Sequence, residues 1–313
     1  MDEKTSMRDA FIDEVYRFAK QDKEVIFVSA DMGAPAFDKY RVDLADQFVT
    51  VGIAEHNMVA VAAGLAKEGK KVFTIAIAPF TTSRCHEFIK LNCGLMKIPL
   101  NIVGVGAGFG YDDSGPTHHT TEDISIMRAI PNLDILSPCD SVSAKKFAEK
   151  SYNSKNPIYI RLDRQVLPKI YSEIESFESG FKELKTGDSI CIVSTGNMVH
   201  EALEISSKME LQGKKVGVID LYQLKPLPKD LKEVLKKYKT VISLEEHILE
   251  GGLGGIIAEL IVDDNLSIKL KRIGLKDYIY AYGGRENIQK ICGIDIDTVI
   301  RQIENIIQES SYI

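Results

Sequence analysis

Three stretches of the sequence bring together residue types that could do chemistry. In VGIAEHNMV, Glu55 follows a short apolar run and opens a helical pattern, with Ile53, Ala54, Met58 and Val59 around it. Open α/β sheets bind ligands at the C-terminal ends of their strands, so Glu55 is a candidate proton-holding group. A carboxylate placed there to suit the positive helix start is the plain alternative. In GFGYDDSGPTHHTTED, the adjacent His118 and His119 share a glycine-rich loop with Asp112, Asp113, Glu122 and Asp123. Polar loops of this length inside compact domains often carry function, and a solvated surface turn is the alternative. Adjacent side chains need not converge and no recognised ligand spacing is present, so no metal site is expected. In SLEEHILEGGLGG, Glu245, Glu246 and His247 precede Gly251, Gly252, Gly254 and Gly255. That spacing is neither of the common phosphate-binding glycine patterns, and close backbone packing is the better reading.

The elements that must position these residues follow from periodicity. Phe11, Val15 and Phe18 recur at helical spacing, and EVIFVSAD is a short apolar run of strand character. FVTVGI repeats the strand signal, and AEHNMVAVAAGLAKEG the helix signal, with a C-terminal cap expected at Gly69. KKVFTIAIAPF, LNIVGVGA and LDILSP read as buried strands, between the helical stretches SRCHEFIKLNCGLMK and SVSAKKFAEKSYN. Such alternation predicts an α/β fold with a mainly parallel sheet flanked by helices. The pattern falters after Arg164, and resumes with DSICIVSTG, KKVGVIDLYQ, YKTVISLEEH and LSIKLKRIGL separated by helical stretches. Two domains are expected, 1–170 and 187–313, joined by a surface linker at 171–186.

Composition narrows the function classes. With 313 residues, 44% hydrophobic, the chain is long enough for two cores, and no apolar run approaches the roughly 18 residues of a membrane span. A formal charge of -6 argues against a nucleic-acid partner, and the lysines at 229, 232, 236 and 237 read as a solvated helix face. Cys85, Cys93, Cys139, Cys191 and Cys292 form no C-x-x-C pair, and the acidic start MDEKTSMRDAF lacks the features of an export signal, so a reduced, cytoplasmic protein is expected.

Taken in order, the three stretches resemble the second half of the transketolase family. GIAEHNMVAVAAGLAKEGKKVF is similar to that family's G-[IV]-x-E-x-x-M segment, GPTHH to its G-P-T-H loop, and EEHILEGGLGG to its C-terminal-domain turn. The resemblance implies the pyrimidine-binding domain of the thiamine-diphosphate fold followed by a transketolase C-terminal-like domain. It also implies a two-carbon ketol transfer from a ketose donor to an aldehyde or sugar acceptor. Glu55 would then hydrogen-bond N1′ of the cofactor's aminopyrimidine and favour its imino tautomer, and Phe80 would stack on that ring. Ile53 and Asp31 would border the cofactor. His118 would face the substrate hydroxyls and move protons, and Arg164 would bind the substrate's distal phosphate.

Departures from the family pattern bear on partner and substrate. The family holds the diphosphate and its Mg2+ through a G-D-G motif that this sequence does not contain. The resemblance therefore implies a separate diphosphate-binding subunit carrying the magnesium ligands, and a symmetric dimer of heterodimers. Ser114 replaces an aspartate that contacts the donor sugar, Gly106 a phosphate-contacting histidine, and Pro35 a small hydroxyl residue. A sugar other than the usual central-metabolic phosphates is expected. A deoxyxylulose-phosphate-synthase-like enzyme, the β subunit of a 2-oxo acid dehydrogenase, and a non-catalytic assembly protein remain as alternatives; Pro116 argues against the first and the GPTHH loop against the second.

Overall fold

The computed structural model describes residues 5–311. The first four residues, part of the start read above as lacking an export signal, and the last two lie outside the described residues. The first half runs α1 (Met7–Ala19), β1 (Val25–Ser29), α2 (Asp38–Asp43), β2 (Phe48–Thr50), α3 (Glu55–Lys67) and β3 (Lys71–Ile77). It continues with α4 (Ala78–Thr81), α5 (His86–Ile89), β4 (Leu100–Val105), α6 (Asp123–Arg128), β5 (Asp134–Leu136), α7 (Ser141–Asn153) and β6 (Ile158–Leu162). The second half holds β7 (Lys182–Lys185), β8 (Ile190–Ser194), α8 (Met198–Leu211), β9 (Val216–Asp220), β10 (Gln223–Lys225) and α9 (Leu231–Leu235). After these come β11 (Thr240–Ile248), α10 (Leu253–Asp263), β12 (Lys269–Leu275), α11 (Arg285–Cys292) and α12 (Ile296–Ser311). No helix among the described residues is long and apolar enough to cross a membrane.

Two mainly parallel sheets flanked by helices result, as the alternating pattern predicts. The first has the order β10-β5-β6-β4-β3-β1-β2 and the second β12-β11-β8-β9-β7. Only the edge strands β10 and β7 run antiparallel among the described strands. Strands β1, β4, β6 and β8 are buried along their whole length, which is why β1 and β8 read as short, mostly apolar runs. Helix α1 starts at Ser6, whose hydroxyl accepts from the Asp9 amide, and buries Phe11, Ile12 and Val15 with Phe147 of α7 on one face of the first sheet. Met58, Val59 and Ala62 of α3 cover the other face.

The two sheets are tied together rather than strung on a linker. Strand β10 comes from the second half of the chain yet pairs with β5 of the first sheet. The segment 171–186, expected as a surface linker, buries Tyr171 and Phe177 and ends in β7, which pairs with β9. Its charged residues hide these anchors from a periodicity reading. Asp140 fixes the start of that segment: one carboxylate oxygen caps α7 through the Ser143 amide at 2.7 Å, and the other accepts from the Ile170 and Tyr171 amides at 2.8 Å each. Removing this carboxylate leaves three amides without an acceptor. Asp140→Ala is expected to lower stability by about 3 kcal/mol, read as a drop in denaturant midpoint, and Asp140→Asn by clearly less.

Candidate active site

In a parallel sheet the loops after consecutive strands open along one edge in the order of the strands. Here that order, β6-β4-β3-β1-β2, puts Arg164, the loop from Gly106 to His119, Phe80, Asp31 and Glu55 along the same edge of the first sheet. The candidate residues thus come from five separate strand ends.

Glu55 is the first residue of α3, after Gly52 turns the chain with φ of 71°. Its side chain is only 3% exposed, and its Oε2 accepts from Nη1 of Arg84 at 2.7 Å. The Arg84 guanidinium also lies 4.4 Å over the Phe80 ring, so it bridges the carboxylate and the aromatic face. On the other side, His118 meets Phe80 edge-on at 5.1 Å between ring centroids, and Tyr111 lies 6.0 Å from His118. Arg164 stacks 4.7 Å from the Tyr111 centroid and pairs with Asp113 at 3.2 Å. The result is a continuous wall, Glu55, Arg84, Phe80, His118, Tyr111 and Arg164. Asp113 is held below the usual carboxylate range by the Ser114 hydroxyl, 3.0 Å away, and then by the Arg164 charge.

The adjacent histidines go separate ways. His118 is half-buried and its Nδ1 lies 3.0 Å from the Thr117 hydroxyl, whereas His119 is buried edge-on against Phe109. Burial lowers the pKa of His119 and favours its neutral form. Two expected residues stand apart from the wall. Ile53 is 79% exposed, and Asp31 is exposed at a backbone φ of 54°, with no hydrogen bond or ion pair to the wall among the described residues. Ser114 lies in the loop beside Asp113. In the third stretch, Glu245 accepts from the Leu253 and Gly254 amides, and a Cβ at Gly252 would strike that carboxylate, in keeping with close packing. Burial pushes the Glu245 carboxyl up to about 8 despite those two donors.

Sequence reasoning missed Arg84 and Tyr111. Arg84 lies four residues beyond Phe80, in the turn between α4 and α5, and its attachment to Glu55 spans 29 residues of sequence, so nothing local signals it. Tyr111 is paired with Gly106: at φ of 94°, a Cβ on Gly106 would run into the Tyr111 ring. The space left by the missing side chain at 106 is therefore filled by a tyrosine from the same loop. Gly106→Ala combines overpacking with a strained positive φ, and is expected to cost about 2–4 kcal/mol. Tyr111→Ala should relieve the overpacking part, so the double variant should be less destabilised than the sum of the two single changes; simple additivity in denaturant melts would count against the pairing.

Residues 3–169 match the transketolase pyrimidine binding domain, and residues 180–299 the transketolase C-terminal domain. A putative transketolase C-terminal section from Methanocaldococcus jannaschii is 32% identical over 302 residues, covering 95% of each chain. One subunit of the apulose-4-phosphate transketolase of Actinobacillus succinogenes is 34% identical, covering 82% of this chain and 84% of the relative. Among solved structures, a split gene transketolase in an inactive beta4 tetramer superposes with a TM-score of 0.86 at 27% identity, covering 97% of this chain and 98% of that one.

Proposed function

The chain belongs to the transketolase family, and from that premise we propose that it is the pyrimidine-binding and C-terminal subunit of a split, thiamine-diphosphate-dependent transferase moving a two-carbon ketol unit from a ketose donor to an aldehyde or sugar acceptor. The observation that carries this reading is the Glu55 carboxylate, buried at a helix start and joined through Arg84 to the Phe80 ring, beside the exposed Ile53. A buried acceptor near an aromatic face suits a flat, basic heteroaromatic ring such as the aminopyrimidine of thiamine. The residues present therefore fit the group.

Thiamine diphosphate, when bound, supplies a nucleophilic carbon and an electron sink for breaking the bond beside a ketone. Glu55 would hold a proton toward N1′ of the aminopyrimidine and so favour the imino tautomer. Phe80 would support the ring face. The exposed Ile53 would border the cofactor, with Asp31 at its edge. His118, opposite Glu55 along the wall, hydrogen-bonds substrate hydroxyls and moves protons as the carbon–carbon bond is broken and remade. Arg164, held on the Tyr111 face, takes the far end of the sugar, and Ser114 approaches a donor hydroxyl. Gly106 offers no side chain to a phosphate, so Arg164 alone would contact one from this face. This supports a sugar other than the common phosphorylated pentoses.

No GDG motif occurs in the sequence, and among the described residues no group of His, Cys, Asp and Glu is suited to a metal ion. We propose that a partner chain holds the diphosphate and Mg2+, in a symmetric dimer of heterodimers. The similar proteins named as a transketolase subunit and as a split gene transketolase support a separate chain. Exposed Ile53, Leu91, Leu95 and Met96 are apolar surface of the kind that a partner covers.

Calorimetry tests the assignment. Thiamine diphosphate with Mg2+ should bind the mixture of this chain and its diphosphate-domain partner, and neither chain alone with comparable affinity. Glu55→Gln should keep the assembly and lose turnover by about 100-fold or more. Tight binding by this chain alone would contradict the division of labour.

A further inference from the structure

The loop that carries His118 is shaped by the second domain. Its neck is closed within the first domain by the paired backbones of Gly108 and Thr120, at 3.0 and 2.8 Å. Beyond the neck, Arg164 of the first domain pairs with Asp113 and packs on Tyr111, and the further fixed points belong to the other half of the chain. Phe109 is fully buried in the core cluster that contains Ile192, Met198 and Leu244 of the second domain. The Phe109 amide donates to Glu246 Oε2 at 2.8 Å, and a Cβ on Gly108 would strike the same carboxylate. Arg285 Nη2 donates to the Ala107 carbonyl at 3.3 Å. The Arg285 amide, first in α11, donates to Asp112 Oδ2 at 2.8 Å, so a loop carboxylate caps a second-domain helix. Finally, the Tyr282 ring lies against Gly115, where any side chain would collide with it.

We propose that the second domain is the positioning device of the active site: Glu246, Arg285 and Tyr282 set the loop 107–118 in the one shape that aims His118 at the cleft. The side chain of His118 touches Thr117, Phe80 and Tyr111, all of the first domain, so its direction depends on where the loop backbone is held. An unheld loop of this length would sample many conformations, and fixing each of its residues costs backbone entropy. Attachments spaced along it at Ala107, Phe109, Asp112 and Gly115 remove that freedom. These are positioning residues, and their effect on turnover rests on the role of His118 proposed above.

The experiment compares hydrogen exchange in the intact chain with Asp112→Ala, Tyr282→Ala and Asp112→Asn. The first two changes lie at half-buried or exposed side chains and should leave the fold intact. Each should speed exchange across 109–118 by about tenfold or more, as expected for losing a charge-assisted hydrogen bond or a packed ring, with β8, β9 and β11 unchanged. Asp112→Asn retains an acceptor and should bring exchange back to within about threefold of the unaltered chain. In the mixture with the diphosphate-domain chain, with hydroxypyruvate and glycolaldehyde as probe substrates, Asp112→Ala should lower kcat about tenfold without changing cofactor affinity, and Asp112→Asn should restore it. Unchanged loop exchange in both alanine variants overturns the proposal, as does a loosened loop with full kcat. Lack of turnover in the unaltered mixture defeats the catalytic reading alone, since the exchange pattern judges the attachment without it.

Discussion

The molecule depends on one buried cation. The Arg285 side chain is 8% exposed and its guanidinium reaches Glu246 of β11 in the second domain and Asp163, just after β6 in the first, at 2.7 Å from the latter. Neither domain holds both carboxylates, so pulling the domains apart would leave a buried charge unpaired on at least one side. Removing one partner of such a pair costs about 3–5 kcal/mol, whereas the intact pair contributes little net stability over an apolar substitute. What the cluster supplies is orientation: the domains fit together in the arrangement that pairs all three charges. A second buried group, Arg161 with Asp123 and Tyr159 at 2.7 Å each way through Asp123, makes the same demand within the first domain, next to the buried His247 of the second.

With the domains fixed, the site follows from topology and from a few exclusions of volume. Parallel strands put five loops on one edge, and the sheet order sets which neighbours meet. Glycines at 106, 108 and 115 then stand where Tyr111, Glu246 and Tyr282 need the room. The loop is thus defined as much by side chains that are missing as by those present. Arg84 completes the wall by joining Glu55 to Phe80, so the buried carboxylate is paired.

Much of this was legible in the sequence where signals are local. The buried strands, the start of α3 at Glu55 and the glycine-rich loop all show within a few residues. The α/β class follows from alternation, and the ordered motifs identify the family. Strand β6 escapes a periodicity reading because Arg161 interrupts its apolar run, and that charge makes sense only once Asp123 is beside it. Helices α11 and α12 escape it too. Arg285 sits in an unremarkable GGRE, and its partners lie 39 to 178 residues away. Tyr111 reads as a loop aromatic until the geometry at Gly106 gives it a place. Long-range pairing of this kind leaves no periodicity to read.

The central claim is that Glu55 and its wall form half of a site that another chain completes. Hydrogen exchange on this chain, alone, with thiamine diphosphate and Mg2+, and with the diphosphate-domain chain added, tests it most directly. The account predicts new protection at 52–57, 80–84 and 109–118 only when cofactor and second chain are both present. Equal protection by the cofactor without the second chain would contradict it.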